Sequence, residues 1–335
     1  MEQTNLFEIL YEKPKINNKL RVIELFSGYG SQSLALKYLG VDFEHYRICE
    51  WALNSIIAYA SLHRNELKNY GIDYSKDLSK SEIAAELHRL GVSLDYNKPA
   101  ELEQLNRLKE DRLRLCYNSI KWSNNLVDIS RVNETQINVV ERERFTYLMT
   151  YSFPCQDLSI CGRLGGFEEG SGTRSSLLWE VVRILKECKE KDSLPQVLLC
   201  ENVPQLHSVN NMENFKKLLA TLENLGYQNY WQDMSAVDYG IPQTRNITFV
   251  LSILGEHNYK FPKPVKLKLR LKDLLESNVD EKYYLSEKMI QYVSAVGGGN
   301  YHNKDSRINL EIARPITTKQ DKRAGTTNYL CGELP

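Results

Sequence analysis

Net charge is the first thing this 335-residue chain lacks, because 43 lysines and arginines are matched by 43 aspartates and glutamates. A protein held to nucleic acid by its overall field carries a basic surplus to meet the phosphates, so any contact here has to come from local patches. Cysteine spacing of the metal-binding kind is missing too. The seven cysteines, at 49, 116, 155, 161, 188, 200 and 331, include no CxxC, and Cys155 and Cys161 stand six apart. A zinc site and a disulfide framework are both unsupported, so no metal is expected and reduced thiols in a cytoplasmic protein are the simpler reading. No apolar run approaches the roughly 20 residues of a membrane-crossing helix. The polar stretch MEQTNLFEILYEKPKINNK has no apolar core of a secretory signal. Internal repeats are absent as well. What is present is 42% hydrophobic residues, enough for a substantial core and an argument against disorder.

The order of patterns along the chain predicts the architecture. Residues 1–19 read as an arm. Leu20 to Phe26 is an apolar strand running into Ser27-Gly28-Tyr29-Gly30, followed by a helix over Ser31 to Leu39 with Gly40 at its C-terminal cap. Phe43 to Glu50 and Ala52 to Ala60 repeat the pair. This alternation predicts an α/β fold with a doubly wound, mostly parallel sheet. Residues 65–123 interrupt it: Ser79 to Leu90 and Ala100 to Leu115 are charged and amphipathic, a helical insertion expected to be a solvated add-on rather than part of a site. Strands over Tyr147 to Phe153, Pro195 to Glu201 and Ile247 to Leu254 then alternate with helices over Thr173 to Glu190 and Phe215 to Leu225. Beyond Gly255, Val265, Leu267, Leu269 and Leu271 alternate with Lys266, Lys268, Arg270 and Lys272. An extended segment would carry these as one apolar and one basic face, either a solvated edge or a phosphate-contacting surface. The expected organisation is a unit over 20–255 with the insertion inside it, then a separate region over 256–335.

Sheets of this kind bind ligands beyond the carboxyl ends of their strands. Phe26, Gly28 and Gly30 fall there, where glycine lets backbone approach a ligand. A dinucleotide fingerprint wants a third glycine at position 33, which is serine, so a nicotinamide oxidoreductase is disfavoured. Glu50 ends the second strand, placed to accept hydrogen bonds from ribose hydroxyls. Trp51 offers a face for a purine or packs in the core. Asp128, in Leu126-Val127-Asp128-Ile129, stands at a third strand end, to take an amino group or to cap a helix. Farther on, Phe153-Pro154-Cys155-Gln156 follows a strand and precedes Gly162, Gly165, Gly166, Gly170 and Gly172, a loop able to close over substrate. Cys155 alone reads equally as a structural thiol. Glu201-Asn202-Val203 ends the next strand and directs its carboxylate to the same crevice.

FxGxG, PCQ, ENV and GIPQTR, in that order and on matching elements, resemble the motifs of the cytosine-C5 DNA methyltransferase family. The resemblance covers residues 20–64 and 124–255 closely and 256–335 loosely. It implies a Rossmann-like class I methyltransferase sheet and S-adenosyl-L-methionine as methyl donor, leaving S-adenosyl-L-homocysteine. Phe26, Gly28, Gly30, Glu50, Trp51, Asp128, Pro154 and Leu177 would surround that cofactor, with Arg174 in the same segment as Leu177. It further implies double-stranded DNA as substrate, in the setting of a restriction-modification system. Cys155 would be the nucleophile, with Glu201 and Arg245 as its catalytic partners and Gln156, Asn202, Gln243 and Arg245 touching the substrate. Two departures stand out: Glu24 replaces the usual aspartate, and Gln243-Thr244-Arg245-Asn246-Ile247 has isoleucine where QxRxR has its second arginine. Arg314-Pro315-Ile316-Thr317-Thr318 resembles the opening of a target-recognition region, and the one GN pair, Gly299-Asn300, precedes it. The expectation is an incomplete recognition region, completed by a downstream segment or a second polypeptide. An RNA (tRNA) cytosine-5 methyltransferase, a non-catalytic DNA-binding remnant and half of a split enzyme are the other readings.

Overall fold

The computed structural model describes residues 18–158, 166–276, 279–288 and 309–315. Most of the N-terminal arm, Gly162 and Gly165 of the glycine-rich loop, the Gly297–Gly299 run with Asn300, and everything from Ile316 onward lie outside the described residues. Six strands form one sheet: β1 (Lys19–Leu25), β2 (Phe43–Cys49), β3 (Phe145–Tyr151), β4 (Val197–Asn202), β5 (Tyr227–Ser235) and β6 (Asn246–Leu254), in the order β2-β1-β3-β4-β6-β5. The first four are parallel neighbours, and β6 runs antiparallel to β4. β1 is central and covered on both faces, with Val22, Ile23 and Leu25 buried and the carboxylate of Glu24 buried among them.

Two departures from the sequence pattern bear on the site. The third strand expected before Asp128 shrinks to one parallel bridge between Ile48 and Asn125, plus a hydrogen bond from Leu126 N to Ile48 O at 2.8 Å. β5 had no sequence forecast; its YQNYWQDMS composition shows little alternation, as suits an edge strand with half-exposed side chains.

Helices α1 (Ser31–Tyr38) and α2 (Leu53–Leu62) follow β1 and β2. The insertion supplies α3 (Lys80–Leu90), α4 (Leu102–Asn106) and α5 (Glu110–Trp122), so the single helix expected over Ala100 to Leu115 is broken near Leu108. Ser79 and Glu82 close a capping box at the start of α3. Short α6 (Glu134–Ile137) precedes β3, and α7 (Leu178–Glu190) and α8 (Met212–Leu225) complete the set. The main core gathers Ile23, Tyr147, Met149 and Leu198 of the sheet with Leu185 and Leu218 of α7 and α8. The expectation of a solvated add-on is corrected by a second core, in which Ile83, Leu87, Leu113 and Cys116 of the insertion pack with Leu53 and Ile56 of α2. The charged faces of α3 and α5 announced solvent, while their apolar faces needed a partner that periodicity cannot name.

The chain divides into two compact units: residues up to Trp231 with Thr248–Tyr259, and Gln232–Ile247 with residues from Lys260 onward. The last crossing between the units, at Tyr259 and Lys260, lies near the expected boundary at 255, while residues 232–247 join the later region. Within the second unit, Tyr239 bridges Val265 and Gln243 bridges Ala313, which draws the 232–247 segment to the later residues. The alternating segment after Gly255 makes only the Val265 bridge, yet Leu267 and Leu269 are half-buried while Lys266 and Lys268 are exposed.

Gly30 caps α1 in a left-handed conformation (φ 82), and a Cβ there would sit 2.4 Å from His63 Nε2 and 2.6 Å from Tyr59 Cε2. Gly30→Ala is expected to lower the unfolding free energy by about 2–4 kcal/mol, from backbone strain plus overpacking. Gly28→Ala, with φ 55 but open space around its Cβ, is expected to lose only the backbone part, about 1–2 kcal/mol. Urea denaturation of both variants checks the ordering.

Candidate active site

Three parallel strands deliver their carboxyl ends to a cavity of about 460 Å³. Phe26 follows β1, Glu50 and Trp51 follow β2, and Ser152, Pro154 and Gln156 follow β3; Asp128, Arg174 and Leu177 add to the wall. Gly28 and Gly30 are not among the lining residues. Gly30 is needed for its fit against Tyr59 and His63, a packing reason rather than a close approach to a ligand. Phe26 (φ 55) and Val127 (φ 64) both line the cavity in the left-handed region, a costly choice for a bulky and a β-branched residue.

Glu50, only 7% exposed, accepts Gly28 N at Oε2 (2.9 Å) and Ala52 N at Oε1 (2.8 Å). Burial nonetheless pushes its carboxyl above the ordinary range. Each oxygen keeps acceptor capacity, so the acid both pins the glycine turn to the start of α2 and can still receive a donor. Asn125 acts as a surrogate strand residue, accepting Glu50 N at 3.0 Å and donating to Glu50 O at 2.9 Å. Asp128 accepts Ser130 N at 3.1 Å as a cap and also lines the cavity, with Arg131 3.1 Å from its other oxygen.

The thiol lies on the neighbouring side of the same edge. β3 and β4 are parallel neighbours with Tyr151 opposite Cys200, so Cys155 and Glu201 leave adjacent strand ends. Four side chains tie down the Cys155 loop. Asn202 donates to Phe153 O at 3.1 Å, Ser175 Oγ to Pro154 O at 2.6 Å, and Gln32 to Ser152 Oγ at 3.0 Å. Asp157 accepts the backbone N–H groups of Arg174 (2.8 Å) and Ser175 (3.3 Å). Asn202, expected to touch substrate, is 3% exposed and spends its amide on Phe153 O and Val203 N, which makes it a positioning residue. Asp157, Ser175 and Asn125 were missed because their partners are backbone groups that only the fold brings near; lying two residues from Cys155 was the one signal for Asp157.

Among the described cysteines Cys155 alone is not buried. Burial pushes the thiols of Cys116 up to about 12 and of Cys188 up to about 11, and raises those of Cys49 and Cys200 as well. These four are packing groups, protonated at neutral pH. Gln243 and Arg245 belong to the second unit, where Arg245 O accepts Ala236 N at 2.8 Å. Ile247, in place of the second arginine, is buried, a position where an unpaired guanidinium would be costly.

Beneath the Phe26–Gly30 turn lies a buried polar chain. Glu24, with its carboxyl raised by burial, accepts Ser33 Oγ (2.5 Å), Ser33 N (3.2 Å) and Tyr59 OH (2.6 Å). Tyr59 OH also meets His45 Nδ1 at 2.7 Å, and His63 Nε2 lies 3.1 Å from Tyr29 O. Ser33, at the vacant third-glycine position, therefore anchors α1 to β1. Among the described residues no group of three or more His, Cys, Asp or Glu side chains could hold a metal ion, and no helix is long and apolar enough to cross a membrane.

The mostly parallel sheet with its helices is shared with solved structures of methyltransferases. S. pombe Dnmt2 superposes with a TM-score of 0.56 over 93% of this chain and 76% of that one, at 17% identity. The Entamoeba histolytica methyltransferase EhMeth gives 0.57 over 94% and 77%, at 15% identity. At such identities the likeness is one of fold. Sequence goes further: residues 106–329 match the profile of C-5 cytosine-specific DNA methylases. Type II methyltransferase M2.ScrFI of Lactococcus lactis subsp. cremoris is 38% identical over 81% of this chain and 71% of its own length. Orphan methyltransferase M.SssI of Spiroplasma monobiae is 37% identical over 91% and 81%. The chain belongs to the C-5 cytosine-specific DNA methylase family.

His45 makes the polar chain sensitive to acid. Its pKa falls to about 4, first through burial and then through the neighbouring His63, which shifts the same way. An unfolded histidine titrates near 6.5, so the stability tied to neutral His45 is complete above that pH and is lost as pH falls toward 4. Glu24 and Glu50 act in the opposite sense, since their raised folded pKa values relieve a burial cost on acidification. Comparison with His45→Phe isolates the histidine: the loss of unfolding free energy between pH 7 and 4.5 is expected to be smaller in the variant by about 2 kcal/mol. Denaturation at the two pH values measures it.

Proposed function

We propose that this chain methylates C5 of cytosine in duplex DNA in the cytoplasm, with S-adenosyl-L-methionine as donor and Cys155 as nucleophile. The observation that carries the reading is Cys155 itself: the one described thiol not buried, leaving a strand end beside that of Glu201, next to a cavity built for a nucleoside. The donor set suits such a cofactor. Carboxylates at Glu50 and Asp128 can accept from ribose hydroxyls and an amino group, and Trp51, Phe26, Pro154 and Leu177 give apolar faces for a base and a thioether chain. The Ser27 hydroxyl, buried in the glycine turn without a hydrogen-bond partner among the described residues, is one more polar group at this strand end. The cavity size is that of small-molecule sites, ~300–1,000 Å³. Bound there, the sulfonium group supplies an electrophilic methyl.

The protein's task is to make C5 of cytosine electron-rich. The base leaves the helix stack at a cost of a few kcal/mol. The Cys155 thiolate adds at C6, and the electron pair of the C5–C6 double bond shifts onto C5 while Glu201 hydrogen-bonds or protonates N3. After methylation the C5 proton passes to a base; no side chain is assigned, and water suffices. Expulsion of the Cys155 thiolate then restores the double bond. Gln156, Gln243 and Arg245 are proposed, on the motifs alone, to contact the DNA. Residues 256–335 are proposed to begin the sequence-reading region, with exposed Lys266 and Lys268 suited to phosphates. The names of the Type II relatives support a restriction-modification setting.

Cys155→Ser is expected to lower methyl transfer by about 10³ or more while leaving S-adenosylmethionine binding intact. It should also abolish covalent trapping on duplex DNA containing 5-fluorocytosine, whose fluorine blocks the final elimination. Glu201→Gln is expected to cost about 10²–10⁴ in rate. Parallel assays on duplex DNA and tRNA decide the substrate, and transfer to tRNA alone would sink the DNA reading.

A further inference from the structure

Part of the cavity wall comes from the helical insertion: Tyr96, Asn97, Lys98 and Pro99 line it together with the strand ends. The turn that carries them is stitched onto the segment after β2. Ser93 N donates to Trp51 O at 2.7 Å and Leu53 N to Ser93 O at 2.9 Å, around a parallel bridge between Ala52 and Ser93. Its shape is set internally. Ser93 Oγ donates to Lys98 O (2.7 Å) and accepts Tyr96 N (3.1 Å), Asp95 accepts Asn97 N (2.9 Å), and Ala100 N reaches Val92 O (2.8 Å). Tyr96, held in the left-handed region (φ 63), meets Ser55 of α2 through its hydroxyl at 2.7 Å. A turn so braced needs no ordering when a ligand arrives.

The insertion also supports Asp128. Gly91, the left-handed C-cap of α3, lies so close that a Cβ there would be 3.2 Å from Asp128 Oδ2, and Arg131 donates to Arg89 O at 2.6 Å. On its other side, Asn97 Oδ1 accepts Arg174 Nη1 at 3.2 Å. Arg174 N is in turn held by Asp157, two residues beyond Cys155. A continuous hydrogen-bonded path thus runs from the insertion to the loop of the thiol.

We propose that the Ser93–Pro99 turn is a wall of the cofactor site, and that the Asn97–Arg174 bond joins it to the Cys155 loop so that a bound nucleoside sulfonium compound is retained. This deepens the methyltransferase reading and rests on it. Because the bond touches none of the reacting atoms, its loss acts on cofactor release and leaves the chemistry alone. Asn97 is a positioning residue.

The test uses the full chain, with equilibrium binding and stopped-flow release of S-adenosylmethionine and S-adenosylhomocysteine. Asn97→Ala is expected to raise Kd and the cofactor KM about five- to tenfold, mostly through faster release. The kcat, the KM for DNA and the unfolding midpoint should stay near wild type. In an Arg174→Ala background, Asn97→Ala should add nothing, because the partner is already gone. Glu103→Ala, on the same insertion but paired in solvent with Arg107, should bind as wild type. An Asn97→Ala Kd within about twofold of wild type, additive losses in the double variant, or a fall in kcat without a rise in cofactor KM would each overturn the inference. Absence of any cofactor binding by the wild-type chain would instead overturn the cofactor reading beneath it.

Discussion

Glu50 is a carboxylate removed from water, and the cavity edge at the ends of β1 and β2 is arranged around keeping it satisfied. An effective cost of several kcal/mol attends the burial of such a charge. It is offset by charge-assisted hydrogen bonds from Gly28 N and Ala52 N, while Asn125 grips the backbone of the same residue on both sides. These bonds join the turn after β1, the end of β2, the start of α2 and the segment leading to Asp128. Left-handed Phe26 and Val127, each costing about 1–3 kcal/mol, persist because their surroundings leave them no alternative. The cavity edge is therefore braced on several elements at once, by hydrogen bonds that lie behind its lining residues.

The Cys155 loop is governed by a complementary constraint. The chemistry proposed for it needs a thiol that substrate can reach, on a backbone that does not wander. Exposure and rigidity conflict unless the anchoring groups lie to either side of the reactive one. Here Phe153 O, Pro154 O and the Asp157 carboxylate are each engaged by Asn202, Ser175 and the backbone of Arg174 and Ser175. Cys155 differs from Cys116 or Cys200 by this setting, not by its residue type.

The sheet, the main helices and the strand-end positions of Phe26, Glu50, Cys155 and Glu201 were legible because period and punctuation are local properties of sequence. β5 was not legible: its edge position relaxes the alternation that marks a strand. The role of Asn202 was misread, since a polar residue in a functional motif looks the same whether it faces a ligand or a neighbouring carbonyl. The packing constraint on Gly30 was not legible, because nothing near it in sequence announces Tyr59 and His63. Glu24 in place of aspartate looked like a mild departure, yet a side chain at that position must reach both Ser33 and Tyr59.

The insertion shows most clearly how a composition argument stops short. Charged faces on α3 and α5 say correctly that one side meets water, and they are silent about what the other side covers. That side covers α2, through Leu53 and Ile56. The residue before Leu53 is Ala52, whose N–H Glu50 holds. Packing on α2 therefore fixes the same helix start that the buried carboxylate fixes, and Ser93 adds a backbone bond to Trp51 between them. An add-on would leave the cavity unchanged if it loosened. A segment that shares a helix start, a strand-end carbonyl and an Asp128 contact with the cavity is coupled to its shape, so the insertion is more than a solvated addition.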